Sequence, residues 1–242
     1  MSITITDVTY RFKAKPVLID INLSLQPGFN VLLGPNGAGK STLLSLLTGQ
    51  RTLQNGKITF ADADISHDTS SIMAQLGVVF QQTTLDLDLT VLQNLTYFGA
   101  LHGLSAATVL NRITPVLTQL ALIDQLQDKV RSLNEGHRRR VEIARCMIHL
   151  PQYLLLDEAT VGLDVDSRKL IIEHIRALAT AQHLTVLWTT HLMDEVLEDD
   201  PLFILNQGKL IEHGVCHTLL AKHQQSSVFD LYRTLTQPQG LL

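Results

Sequence analysis

The sequence predicts an α/β fold built around a mostly parallel β-sheet, and three observations point to it. Short apolar segments typical of buried strands occur at 30–33, 57–60, 76–81, 153–156, 184–189 and 202–205. Stretches with helical spacing lie between several of them, at 40–48, 167–180 and 192–199. Strands that alternate with helices form parallel sheets with both faces covered. The third observation is that the strand at 153–156 ends in two acids, at the sheet edge where ligands bind in such folds.

Two further regions flank or interrupt this pattern. Residues 2–12 and 17–26 alternate apolar and polar side chains, as half-buried strands do. From 90 to about 150, apolar residues recur at helical spacing, with Gly103, Pro115 and Asp124 as breaks. The sequence therefore predicts a helical insert inside an α/β protein.

Composition excludes several classes of protein. Hydrophobic residues make up 45% of the chain and charged residues 17%, and the net charge of −4 gives no basic footprint for nucleic acid. Cys146 and Cys216 lie far apart and outside any CxxC pattern, so we expect neither zinc nor a disulfide framework. No apolar run approaches the roughly 18 residues of a membrane span, and the N-terminus lacks a signal-peptide layout. We expect a cytoplasmic protein that, if it serves a membrane, docks on another subunit.

A complete phosphate-binding motif, GPNGAGKST, lies between the strand at 30–33 and the helix at 40–48. Small residues let successive backbone N–H groups converge on phosphate oxygens, and the helix N-terminus adds its positive dipole end. Lys40 supplies a cation for the β- and γ-phosphates, and the Ser41 hydroxyl can ligate Mg²⁺. The alternative is a plain glycine-rich turn, and the strand before and the helix after favour the phosphate-binding interpretation. The predicted nucleotide-binding residues here are Gly34, Pro35, Asn36, Gly37, Ala38, Gly39, Lys40, Ser41 and Thr42.

Two strand ends supply candidate catalytic groups. The strand YLLL delivers Asp157 and Glu158 to the carboxyl edge of the sheet. Asp157 can hold Mg²⁺, and Glu158 can orient and deprotonate an attacking water. His191 follows the strand at 184–189 and reaches the same edge, where it can contact a γ-phosphate. A solvated acidic turn and a packed histidine are the alternatives, and the phosphate motif favours the catalytic interpretation.

With these motifs in order, the chain resembles the ATP-binding-cassette (ABC) ATPases, from residue 3 to about 214. The resemblance implies a P-loop NTPase with a RecA-like parallel core, an N-terminal antiparallel β subdomain and a helical signature subdomain. It assigns 1–82 and 151–216 to the nucleotide-binding core and β subdomain, 83–150 to the helical subdomain, and 217–242 to a short helical tail. ATP and Mg²⁺ are the implied cofactors.

The family's other motifs map onto single residues. Phe12 lies where the family places an aromatic ring against adenine, with Tyr10 as the alternative. Gln81 matches the glutamine that contacts Mg²⁺ and couples the site to the helical insert, and Gln82 is its alternative. The resemblance thus implies a metal site of Ser41, Gln81 and Asp157, and a catalytic set of Lys40, Glu158 and His191.

The segment LNEGH occupies the place of the family signature LSGGQ, which completes the ATP site of a second subunit. It departs from the family at three positions, since Asn134, Glu135 and His137 replace Ser, Gly and Gln. A carboxylate pointed at ATP would cost Coulomb energy, so we expect Glu135 to point away. Ala159 replaces the usual proline after the two acids. The implied signature and dimer interface comprises Leu133, Asn134, Glu135, Gly136, His137 and Asp164.

The resemblance extends to the drug- and polymer-exporting branch, in which a separate ATPase pairs with a membrane permease. It implies a homodimer or heterodimer of ATPase subunits, an integral membrane permease as partner, and a peripheral position on the inner face of the cell membrane. A soluble cassette ATPase acting on ribosomes or nucleic acid is the alternative, and a degenerate nucleotide-binding regulator is a third. The run Arg138, Arg139, Arg140 with Arg145 could be a nucleic-acid patch, but a charged face of an amphipathic helix is favoured and no nucleic-acid partner is expected.

Overall fold

Two β-sheets organise the protein in the computed structural model, which describes residues 1–236. The first sheet has the strand order β2-β1-β4-β5 and pairs antiparallel throughout. The second has the order β10-β9-β3-β8-β7-β6 and is parallel except for the β9–β10 pair. The α/β fold with a parallel core and an antiparallel N-terminal sheet is therefore confirmed.

The ten strands of the two sheets are β1 (Ile3–Phe12), β2 (Lys15–Leu25), β3 (Gly28–Leu33), β4 (Asn55–Phe60), β5 (Ala63–Asp64), β6 (Leu76–Val79), β7 (Tyr153–Asp157), β8 (Thr185–Thr190), β9 (Pro201–Asn206) and β10 (Lys209–Val215). The helices of the described residues are α1 (Lys40–Leu47), α2 (Thr69–Met73), α3 (Val91–Leu101), α4 (Ala106–Gln119), α5 (Glu135–Met147), α6 (Val165–Ala181), α7 (Cys216–Lys222) and α8 (Val228–Thr236). β5, α2 and β10 have no counterpart among the sequence predictions.

Two hydrophobic clusters hold the sheets and helices together. One lies between the parallel sheet, α5 and α6 and continues into α3 and α4. The other lies between the two sheets and includes the four leucines of α1 predicted to face the core, Leu43, Leu44, Leu46 and Leu47. α1 is thus fixed from both sides, which sets the position of the loop that precedes it.

The helix predicted at 192–199 is wrong, since the segment holds only a 3₁₀ turn at Met193–Glu195 between extended residues. Glu195 is buried, and its carboxylate accepts hydrogen bonds from the Trp188 indole at 2.9 Å and from Thr160. Asp200 accepts a hydrogen bond from the backbone N–H of Leu197 at 2.7 Å. These inward carboxylates tie the segment to the core in place of a helical hydrogen-bond ladder.

The charged face predicted for α5 is also wrong in part. The apolar positions Val141, Ala144, Met147 and Ile148 are buried as expected, but Arg139 and Arg140 are buried as well. Arg140 donates hydrogen bonds to the carbonyls of Gly136 and Leu120, while Arg139 contacts a loop considered below. Buried guanidinium groups that donate to backbone carbonyls form neither a nucleic-acid patch nor a solvated face.

The remaining sequence predictions concern breaks, termini and membrane spans. Pro115 does not end a helix but lies inside α4, whose buried residues Ile113, Val116 and Leu117 pack on both sides of it. The predicted helical tail contains α7 and α8, and its residues 237–242 lie outside the described part of the chain. Within residues 1–236, no helix combines the length and the apolar character needed to cross a membrane.

Candidate nucleotide-binding site

The phosphate motif forms the loop between β3 and α1, as predicted. Gly39 has φ 115°, and a Cβ there would come within 2.8 Å of Leu18 Cδ2 and 3.0 Å of the Val17 carbonyl oxygen. A Cβ on Gly34 would come within 2.4 Å of the Leu205 carbonyl oxygen. Both glycines are required because β2 and β9 press against the loop from outside.

Lys40 is held inside the loop that it follows. Its side chain is only 4% exposed, and its ammonium donates hydrogen bonds to the carbonyls of Gly34 at 2.6 Å and Pro35 at 3.2 Å. Lys40 Nζ also lies 3.0 Å from Glu158 Oε1. The loop cation and the predicted base therefore form one buried ion pair.

Glu158 is the point at which the predicted catalytic residues meet. His191 Nδ1 lies 3.2 Å from Glu158 Oε1, and Gln81 Nε2 donates a hydrogen bond to Glu158 Oε2 at 3.3 Å. Glu158 itself has φ 48°, a conformation that is uncommon for a residue with a side chain, and its N–H bonds to the Thr189 carbonyl at 3.1 Å. β8 thus fixes the backbone that aims this carboxylate.

The pKa of the Glu158 carboxyl lies below its usual value. Burial raises this pKa, but the hydrogen bond and the charge of Lys40, followed by those of His191, outweigh the burial. The carboxyl is consequently ionised at neutral pH, as a proton acceptor must be.

Asp157 lies next to Glu158 and shares a groove with the other two predicted metal ligands. Thr189 Oγ1 donates a hydrogen bond to Asp157 Oδ1 at 2.8 Å. Ser41, Gln81 and Asp157 line the same groove, of about 370 Å³, together with Gln82. A hydroxyl, an amide and a carboxylate are the hard oxygen ligands that Mg²⁺ prefers, so the residues present fit this ion. Thr189 was missed by sequence reasoning, although its place at the end of β8 beside two acids is a usable signal.

The aromatic residues proposed to meet the base differ in exposure. Tyr10 is 7% exposed, whereas Phe12 is 38% exposed and lines a cavity of about 400 Å³ with Ser41, Thr42 and Arg51. The two rings pack edge to face, with centroids 5.2 Å apart. The Arg51 guanidinium lies 4.5 Å from the centroid of the Phe12 ring, a cation–π contact that the sequence did not indicate.

The signature residues form the N-terminus of α5. Asn134 caps this helix, because its Oδ1 accepts the backbone N–H of His137 at 2.8 Å, and His137 Nδ1 lies 2.8 Å from the same oxygen. Glu135 is in the first turn of α5, where a carboxylate interacts favourably with the helix dipole. Its Oε2 lies 3.8 Å from Arg138 Nη1. A Cβ on Gly136 would come within 3.0 Å of Ser167 Oγ. Gly136 therefore has a packing role against α6.

Asp164 and Leu133 complete the predicted interface. Asp164 caps α6 by accepting hydrogen bonds from Ser167 N at 2.9 Å and Ser167 Oγ at 2.7 Å, and Leu133 is buried. Within residues 1–236, one cleft at the phosphate loop is lined by Val17, Asn36, Gly37, Gly39, Lys40, Ser41, Thr42, Gln81 and Glu158. None of the signature residues is among them, so the structure does not bring the signature to the loop of its own chain.

Comparison with known proteins identifies the family of the chain. Residues 18–161 match the ABC transporter family model. The chain is 37% identical over 236 residues to the Nod factor export ATP-binding protein I of Bradyrhizobium diazoefficiens, covering 96% of this chain and 76% of that protein. It is 33% identical over 219 residues to the linearmycin resistance ATP-binding protein of Bacillus subtilis, covering 90% and 70% respectively.

Solved structures show the same fold. An ATP-binding subunit of an ABC transporter superposes with a TM-score of 0.86 over 98% of this chain and all (100%) of that one, at 22% identity. A bacterial Atm1-family ABC exporter with ATP bound gives a TM-score of 0.81 at 26% identity, over 99% of this chain and 42% of that one. The phosphate loop, the paired acids and the family match together show that the chain belongs to the ABC transporter family, as an ATP-binding subunit that hydrolyses ATP to drive transport.

Proposed function

We propose that this chain powers export through a separate membrane permease, by closing as a dimer on two ATP molecules. The separation of the signature from the phosphate loop carries the dimer part of the proposal, because one chain then holds only half of each site. The export part is supported by relatives that are named for Nod factor export and linearmycin resistance. The permease partner and a position at the inner face of the cell membrane follow from the same relationship.

In the proposed site, ATP replaces the internal partners of Lys40. Phosphate oxygens compete for the ammonium that now bonds to Gly34, Pro35 and Glu158. As Lys40 turns to the phosphates, Glu158 loses the partner that contributes most to its low pKa. It thereby becomes a stronger base at the moment when an attacking water must be deprotonated.

The neighbours of Glu158 have positioning roles in this scheme. His191 and Gln81 each hold one carboxylate oxygen, so the direction of the carboxylate is set from both sides. Gln81, rather than Gln82, is the glutamine that we assign to the site, because its amide faces Glu158. Ser41, Gln81 and Asp157 would hold Mg²⁺, which when bound neutralises charge on the phosphate oxygens. Phe12 is the ring that we assign to adenine, since Tyr10 is buried.

Asn134 supplies the contact to the partner's ATP in this proposal. Its Oδ1 is engaged by two groups of His137, so its amide N–H₂ is left to donate to the γ-phosphate. Asp164, at the N-terminus of α6, would face the partner beside it.

Co-purification tests the permease partner. The chain is co-expressed with a candidate polytopic membrane permease, and any complex is purified through a tag on the ATPase. We expect the two proteins to elute together and the permease to change the rate of ATP hydrolysis. Elution with ribosomes, and no effect of the membrane protein on the rate, would instead support a soluble cassette ATPase.

A further inference from the structure

Side chains of α5 bond in series to the backbone of β6 and of the loop that follows it. His149, just beyond α5, lies 3.2 Å from the Leu76 carbonyl through its Nε2. Cys146 Sγ donates to the Val78 carbonyl at 2.9 Å. Arg139 donates to the carbonyls of Phe80 and Gln81 at 2.6 and 2.8 Å. The helix that begins at the signature is therefore hydrogen-bonded to the backbone of β6 and of the following loop, as far as the glutamine at the nucleotide site.

Arg139 and Glu142 form a buried clamp around that loop. Their side chains are 3% and 1% exposed, and Arg139 Nη1 lies 2.8 Å from Glu142 Oε2. The other carboxylate oxygen, Glu142 Oε1, accepts the backbone N–H of Thr84 at 2.7 Å. Together they hold the segment 80–84 at both ends, and Gln81 is inside it.

The chemistry of the clamp indicates a role beyond stability. A buried ion pair contributes little net stability compared with apolar side chains of similar size, because both charges lose their hydration. What the planar guanidinium adds is geometry, since its fork can bond two successive carbonyls in fixed directions. Those carbonyls belong to the residue that contacts Glu158 and to the residue before it.

We propose that Arg139, braced by Glu142, is a positioning residue that aims Gln81 at the nucleotide site. The proposal rests on the proposed function only in that Gln81 acts on the bound nucleotide. Arg139 lines none of the clefts beside the phosphate loop, so its effect on hydrolysis should pass through Gln81.

A double-mutant cycle tests this dependence. Arg139→Lys keeps a positive charge beside Glu142 but loses the fork, and Gln81→Ala removes the amide that the fork positions. We expect each single variant to lower kcat about tenfold, because a small misplacement of a reacting group has effects of this size. We also expect each to raise the Mg²⁺ concentration needed for half-maximal activity.

The kcat of the double variant distinguishes an Arg139 that acts through Gln81 from an Arg139 that acts independently of it. If Arg139 acts through Gln81, the double variant has the kcat and the Mg²⁺ requirement of Gln81→Ala alone. Multiplied defects, about a hundredfold in kcat, would overturn the proposal, because independent sites are additive in free energy. A Gln81→Ala variant with unchanged activity would overturn it too.

The pair Arg139→Met/Glu142→Leu separates positioning from folding. We expect this variant to remain folded with a lowered Tm, because the apolar pair fills the same space but leaves the Phe80 and Gln81 carbonyls and the Thr84 N–H without their partners. Its kcat should nevertheless be as low as that of Arg139→Lys, and wild-type kcat in this variant would contradict the proposal. If Arg139→Lys does not fold, the apolar pair replaces it in the cycle. If neither folds, the clamp is structural and the proposal is wrong.

All of these kinetic measurements use ATP hydrolysis by the chain or its complex. If the wild-type chain hydrolyses ATP but does not associate with a permease, the proposed export function is overturned. The double-mutant cycle can still be measured in that case, and its result remains valid. If the chain works with a permease as proposed but the kcat defects of the Arg139 and Gln81 variants multiply in the double variant, only the positioning role of Arg139 would be overturned.

Discussion

At the scale of single residues, Glu158 contacts three side chains that come from distant parts of the chain. Lys40 follows the phosphate loop, Gln81 follows β6 and His191 follows β8. Three parallel strands, β3, β7 and β8, are neighbours in the sheet, and their carboxyl ends bring Lys40, Glu158 and His191 to one edge. In the proposed mechanism, the direct pairing of Lys40 with Glu158 would keep the proposed base engaged until phosphate oxygens compete for the cation.

Glu135 is the residue that departs most from the family signature, and a substitution tests its effect. Its side chain is half exposed and lies beside Arg138, not toward the chain's own phosphate loop. We expect Glu135→Gly to leave ATP turnover equal or raised, because the change removes a negative charge near the proposed γ-phosphate contact of the partner.

Turnover and thermal unfolding of Glu135→Gly are measured beside those of Glu135→Gln. The glutamine variant removes the charge and keeps the length of the side chain. The glycine variant should unfold at a slightly lower temperature, since it loses the first-turn carboxylate of α5. A collapse of turnover in both variants would show that the carboxylate has a positive role.

At the scale of elements, α7 is tied to the edge strand β10 by one carboxylate. Glu212 of β10 accepts from Lys222 and contacts His223, each at 2.7 Å. Burial opposes the shift, but the hydrogen bonds of Lys222 and His223 lower the pKa of Glu212 to about 2. Because the folded-state pKa lies below the unfolded one, the contribution to stability is complete above the unfolded pKa and is lost as pH falls toward the folded one.

Glu212→Gln should therefore lower the free energy of unfolding by about 1–2 kcal/mol at pH 7. The difference from the wild type should shrink progressively as pH falls below about 4.5. Urea unfolding at a series of pH values measures it, with Glu173→Gln on the exposed face of α6 as the control. A difference that is independent of pH would mean that the carboxylate does not act through its charge.

The sequence predicted elements well where apolar periodicity is strong, and less well where polar groups are buried. β7 and β8 are continuous buried runs, so their positions follow from hydropathy alone. The segment 192–199 has the spacing of a helix, but Glu195 turns inward to Trp188 and Thr160, a tertiary contact that periodicity cannot show. Likewise, Arg139 and Arg140 read as surface charges because their carbonyl partners lie far away in sequence.

Site residues that belong to short motifs could be predicted from the sequence, whereas those defined by tertiary contacts could not. The loop glycines and Lys40, the paired acids and His191 each end or follow a strand, and short motifs mark them. Thr189 donates a hydrogen bond to Asp157, and Arg51 stacks on the Phe12 ring, but neither residue belongs to a motif. Their roles follow only from the pairing of β7 with β8 and from the packing around the Phe12 ring.

At the scale of the whole molecule, the proposed mechanism requires two copies of the ATPase. In each subunit the phosphate loop precedes α1, and the signature lies at the N-terminus of α5, outside the cleft at that loop. Dimer closure on ATP and its reversal after hydrolysis would then provide the movement that a permease uses. In the proposed mechanism, the lifetime of the closed dimer would depend on Glu158, because hydrolysis would end it.

The oligomeric state of Glu158→Gln with ATP and Mg²⁺ is the most direct test of this account. Mass is measured by light scattering after size-exclusion chromatography, with ATP or ADP present, and Lys40→Ala serves as a control that should lose measurable ATP affinity. We predict that Glu158→Gln binds ATP, stops turning over, and doubles in mass with ATP but not with ADP. Continued hydrolysis at the wild-type rate, or an ATP-bound variant that stays monomeric, would contradict the assignment of Glu158 and the shared site.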